Sequence, residues 1–187
     1  VMFADYYFRG FPEDHGERSR NVEARNLFNY IIKLTGNQMT PEDFYITNLC
    51  NDNLEPAPKG KRVLIPEDKA LKGIEHIEWI LSQNPTIEYV FAMSLQTNYW
   101  LQKGGFYEGS AEFLSAAEPR RTGTENYQPF YQPVDGKAFI QVCGNCYDAK
   151  NFAVKVILIL PAKDFPLSEQ NMERYGEACK KVSSYFK

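Results

Sequence analysis

The run Phe152 to Leu160, FAVKVILIL, is the most strongly apolar segment of the chain and reads as a central, buried strand. It falls far short of the roughly 20 apolar residues that cross a bilayer, and no other run approaches that length. A strand of this kind needs company on both sides, and the chain supplies it by alternation. VMFADYYF and FYIT read as strands, as does IEYVFAM, while NVEARNLFNYIIKLTG places Val22, Leu27, Phe28, Ile31, Ile32 and Leu34 at helical spacing before Gly36. PEDKALKGIEHIEWILSQNP reads as a helix that opens with Pro66 and two acids, carries Leu71, Ile74, Ile77, Trp79, Ile80 and Leu81, and breaks at Asn84-Pro85. SLQTNYWLQKGG reads as a helix ended by glycines, and SEQNMERYGEACKKVSSYF as a closing helix.

Strands separated by helices predict right-handed crossovers and a mainly parallel sheet, with helices on both faces. The expected fold is a three-layer αβα domain over residues 1–187 with a central, mainly parallel four-stranded sheet. The Gly- and Pro-rich stretch from Gly104 to Pro133 reads as a surface excursion, and KAFIQVC as a further strand beside it.

Composition narrows the function classes. The chain has 187 residues, 43% hydrophobic and 24% charged, as in a soluble globular domain, and no membrane segment or signal peptide is expected. A net charge of -3 gives no general attraction to phosphate backbones, so nucleic-acid binding would need a local patch such as KGKR (59–62) or Arg120-Arg121; both also read as solvated loop charges. Four scattered cysteines are no disulfide scaffold and point to a reducing, cytoplasmic compartment. CGNC at 143–146 is half a metal site or a redox pair with no second half, so no metal or cofactor is expected. No Gly-rich phosphate loop accompanies the first strand, which argues against a doubly wound nucleotide-binding protein.

In open parallel sheets ligands bind beyond the carboxyl ends of the strands. Four strand ends are therefore candidates. The first offers Asp5, able to orient water or cap a turn, and the aromatics Tyr6, Tyr7, Phe8 and Phe11, able to stack on a flat ligand or fill the core. The second offers Asn48, whose donor and acceptor suit the edge of an amide-bearing ring and equally suit closing a turn. The third offers Ser94, a close-approach position or a helix N-cap. At the fourth, Leu160 leads into a loop bracketed by Pro161 and Pro166 that carries Lys163 and Asp164.

These four ends, in their order and spacing, resemble the uracil-DNA glycosylase superfamily. YITNL is similar to that family's strand and base-reading Asn, and residues 66–107 to its helix-strand-helix block, with Met93-Ser94 where relatives typically show Leu-Gly. The resemblance implies that Asn48 reads the base, that Asp5 acts near the family's first motif although ADYYF lacks its Gly and Pro, and that Tyr6, Tyr7, Phe8 or Phe11 sandwiches the base. Leu160-Pro161 stands where relatives place His-Pro, so the donor that stabilises the leaving base is missing, Lys163 is the substitute, and Leu160→His is expected to raise activity. The cysteine set of the iron-sulfur branch is absent. The resemblance thus implies a monomeric DNA or nucleoside glycosylase of DNA-repair type that hydrolyses an N-glycosidic bond, with no membrane partner; the alternative is a base-binding module of the same fold without the chemistry.

Overall fold

The structure, a computed structural model, describes residues 2–5, 27, 29–36, 43, 45–50, 65–118, 120–121, 131–132, 136–160 and 169–187. Its strands are β1 (Met2–Asp5), β2 (Tyr45–Asn48), β3 (Tyr89–Met93), β4 (Arg120–Arg121), β5 (Tyr131–Gln132), β6 (Cys146–Asp148) and β7 (Lys155–Ile159). Its helices are α1 (residues 29–35), α2 (Glu67–Gln83), α3 (Leu95–Lys103), α4 (Ala111–Ala116), α5 (Gly136–Val142) and α6 (Glu169–Ser184).

Five strands form one sheet in the order β2-β1-β3-β7-β6. The first four run parallel, and β6 is antiparallel to β7, with Asp148 opposite Lys155. The period of two along the central strands divides the core. Val90 and Ala92 of β3 join Val156 and Leu158 of β7 in one cluster, sealed by α2, α3 and α5, whereas Phe91, Met93, Ile157 and Ile159 join a second cluster built from α1 and α6. Each fully buried aliphatic or aromatic side chain contributes roughly 1.5–3 kcal/mol, so these two strands anchor both layers at once.

The expected four-stranded, mainly parallel sheet of a uracil-DNA glycosylase-like fold is corrected here. The sheet is mixed and has five strands, and β4 and β5 pair apart from it as an antiparallel ribbon. The fifth strand was hidden because it is three residues long, Cys-Tyr-Asp, with no apolar alternation to announce it. KAFIQVC, read as a strand, is largely helix α5: Ala138, Phe139 and Val142 are buried at helical spacing, and Phe139 packs against Phe113. A seven-residue apolar run fits either period, and the contact with α4 decides it. Nor is the start of the Gly104 to Pro133 stretch a surface excursion, because Phe106, Tyr107, Phe113 and Ala117 are buried in the first core.

Helix α2 begins after Pro66 with Glu67 and Asp68 in its first turn, where acids favour the positive end of the helix dipole. It ends at Asn84, whose Nδ2 donates to the Ile80 carbonyl. Its buried stripe is Ala70, Ile74, Ile77, Ile80 and Leu81; the apolar Leu71 and Trp79 face outward, and Trp79 is 59% exposed and stacks on His76. Gly73 sits in the middle of α2, where glycine costs about 1 kcal/mol relative to alanine. The position accepts that cost because the helix backbone lies against the carbonyl of Leu49, leaving no room for a side chain.

Candidate functional site at the carboxyl edge of the sheet

Strands β1, β2, β3 and β7 all end on the same edge because they are parallel. In the register of β1 with β2, Asp5 is the partner of Asn48, so the two Cα atoms stand one strand spacing apart, about 5 Å. Asn48 is half-buried and is followed directly by Leu49 and Cys50, both in the first core. The strand end is thus fixed by burial immediately downstream of the amide.

Ser94 follows β3 with φ 76° and ψ 158°, a region populated almost only by glycine and costing a serine roughly 1–3 kcal/mol. Its hydrogen bonds show how the strain is held. The Ser94 N–H donates to the Ile159 carbonyl at 3.3 Å, its carbonyl accepts from the Asn98 N–H and Nδ2, and its Oγ accepts from the Thr97 N–H and donates to Thr97 Oγ1. This hydroxyl is a helix cap, and the strained turn is the point where the chain leaves the central strand and enters α3. Residues 96–101 of α3 are all buried, so its polar members must be satisfied internally: Gln96 Oε1 accepts from the Ile65 N–H, and Asn98 Nδ2 also donates to the Ala92 carbonyl. Asn98 Oδ1 is buried with no hydrogen-bond donor among the described residues.

Leu160, at the end of β7, is 5% exposed and belongs to the first core. Its carbonyl accepts a hydrogen bond from Tyr30 Oη of α1 at 3.0 Å. The side chain that was expected to stand beside a departing base is therefore packed among Val90, Leu158 and their neighbours, and its carbonyl is already used. Of the other expected site residues, Tyr6, Tyr7, Phe8, Phe11, Lys163 and Asp164 lie outside the described residues. The structure brings Asp5 and Asn48 together and sets Ser94 and Leu160 on the two strand ends beyond them.

Three contributors escaped the sequence reading. Tyr30 interrupts the helical stripe as a polar-tipped aromatic, and Asn98 sits in a helix whose apolar pattern is too weak to mark it as buried. The signal for Gly73 was a lone glycine inside a helical pattern, which in a packed helix commonly marks close approach.

The CGNC segment shows no sign of thiolate chemistry. Burial pushes the Cys143 thiol up to about 12, with Cys179 nearby adding to the effect, and burial also raises Cys146 and Cys179. Among the described residues no group of three or more His, Cys, Asp or Glu side chains could hold a metal ion, and no helix is long and apolar enough to cross a membrane. No protein-family model matches the chain, and no curated protein is similar to it.

Proposed function

We propose that the carboxyl edge at β1 and β2 binds a nucleobase, presented in a nucleic acid or a nucleoside, with Asn48 reading its amide edge. The observation that carries this reading is the parallel register in which Asp5 and Asn48 are partners, one residue able to supply a carboxylate and the other a donor-acceptor pair at adjacent strand ends. In the hydrolytic form of the proposal, Asp5 orients a water whose oxygen bonds to the sugar C1′ while the C1′–N bond breaks and the base leaves with the electron pair, taking up a proton. Lys163 is the candidate that supports the leaving base. The second reading, a base-binding module without cleavage, is favoured by the residue type at the end of β7, since the aliphatic Leu160 carries no side-chain donor for a leaving base.

Incubation with oligonucleotides carrying uracil, hypoxanthine, xanthine or an alkylated base, scored for both binding and base release, separates the readings. Binding that Asn48→Ala weakens by about tenfold or more supports the site. Release abolished by Asp5→Asn supports the enzyme, and binding without release supports the module. If no substrate binds, or if Asn48→Ala binds as wild type does, the assignment of this edge is wrong.

A further inference from the structure

At Gly73 the backbone of helix α2 lies directly against the Leu49 carbonyl that follows β2. A Cβ built on Gly73 would stand 1.7 Å from the Leu49 carbonyl oxygen and 2.7 Å from its carbonyl carbon, and neither atom can swing aside as a side chain could. Leu49 is fully buried and directly follows Asn48, so its carbonyl cannot retreat without moving the strand end. At the next residue α2 packs on α3: a Cβ on Gly104, at the end of α3, would meet Ile74 Cδ1 at 2.4 Å.

We infer that Gly73 is a positioning residue for Asn48: the bare helix backbone at this point lets α2 lie against the Leu49 carbonyl and so fixes the strand end that carries the amide. The inference rests on the proposed base-reading role of Asn48. Any side chain at position 73 must displace Leu49 or α2 by more than about 1 Å before the contact becomes an ordinary one, and displacements of that size can cost on the order of 100-fold where polar groups must meet a ligand.

The test compares Gly73→Ala, Asn48→Ala and Gly144→Ala in binding to a single-stranded oligonucleotide with one deoxyuridine, together with the Asn48 side-chain amide signals in a 15N–1H spectrum. Gly144 is the control, since a Cβ there would meet the Ala178 backbone at 2.8 Å at the opposite edge of the sheet. Gly73→Ala is expected to bind roughly 10- to 100-fold more weakly while folded, with the Asn48 amide signals shifted, whereas Gly144→Ala lowers thermal stability and leaves affinity within about twofold. Wild-type affinity in folded Gly73→Ala, with binding lost in Asn48→Ala, overturns the inference alone. No binding by the wild type, or no loss in Asn48→Ala, overturns the base-reading role beneath it. Should Gly73→Ala fail to fold, Ile74→Val, which removes the atom wedged against Gly104, carries the test: a several-fold loss of affinity supports the inference and unchanged affinity overturns it.

Discussion

Asn145 and Asn48 occupy opposite edges of one sheet, and the sequence presents both as small amides beside a strand. At the β6 edge Asn145 is consumed by the fold: its Nδ2 donates to Tyr147 Oη at 2.9 Å and its Oδ1 accepts from Lys181 Nζ at 2.6 Å. The same turn is tied again by Tyr185 Oη, which donates to the Gly144 carbonyl, and Gly144 holds φ +83° where its Cα lies against Ala178. The β2 edge is built otherwise. Tyr45 and Ile46 remain 42% and 46% exposed, and the strand is fixed from below, by burial of Leu49 and the approach of α2, with Asn48 half-buried above. At one edge the amide itself ties the turn through its side-chain hydrogen bonds; at the other the strand is held by burial just downstream of the amide.

The largest effect expected from this contrast is at the end of β7. Leu160→His, which the family resemblance suggests would raise activity, puts a polar ring into the first core in place of a packed aliphatic group. Loss of the buried methyls and an unpaired imidazole together cost about 3 kcal/mol or more. For a domain of this size the thermal midpoint should fall by roughly 6–12 °C, read by circular dichroism, with no gain in base release. Asn48→Ala should shift the midpoint far less. A Leu160→His protein of wild-type stability would mean that this strand end is open after all.

What could be read from the sequence was the part governed by periodicity. The buried runs of β3 and β7 announced themselves as continuous apolar segments, and Ile74, Ile77, Ile80 and Leu81 of α2 by helical spacing. What could not be read was decided by contacts between distant residues. Whether KAFIQVC coils depends on Phe113, whether Ser94 caps or reacts depends on Thr97 and Asn98, and whether Leu160 lines a cleft depends on the helices that cover it. Trp79 fails in the other direction: it is apolar, but helical spacing sets it on the face opposite Ala70 and Ile77, and it stays at the surface against His76.

An effect should also appear on raising the pH, shared between the buried Tyr107 and the thiol of Cys143 at the β6 edge, both raised by burial. Cys143 keeps its proton in the folded state until about 12 because it is buried, while the unfolded thiol loses it near 9. Between those values the folded chain binds more protons than the unfolded one, so stability is fully present below about 9 and is lost as pH rises toward about 12. Cys146 and Cys179, raised chiefly by burial, act in the same direction. Urea midpoints measured at successive pH values above neutral should therefore decline, and Cys143→Ala should flatten the decline. An unchanged slope in that variant would place the alkaline sensitivity elsewhere.

The smallest effect is expected at the ion pair that decorates the same edge. Lys155 and Asp148 are register partners across β6 and β7, and the hydrogen bond to Asp148, followed by its charge, raises the lysine above its ordinary value. Both side chains are largely in water, 52% and 79% exposed, where Coulomb attraction is screened and holding two flexible side chains together offsets most of the gain. Lys155→Ala should leave the thermal midpoint within about 1 °C of wild type, with no added dependence on salt. The antiparallel edge is held instead by the turn at Gly144, the side chains that α6 lays on it, and the buried face of β7. A drop of several degrees in Lys155→Ala would show that charge, rather than the turn and the packing of α6, holds this edge.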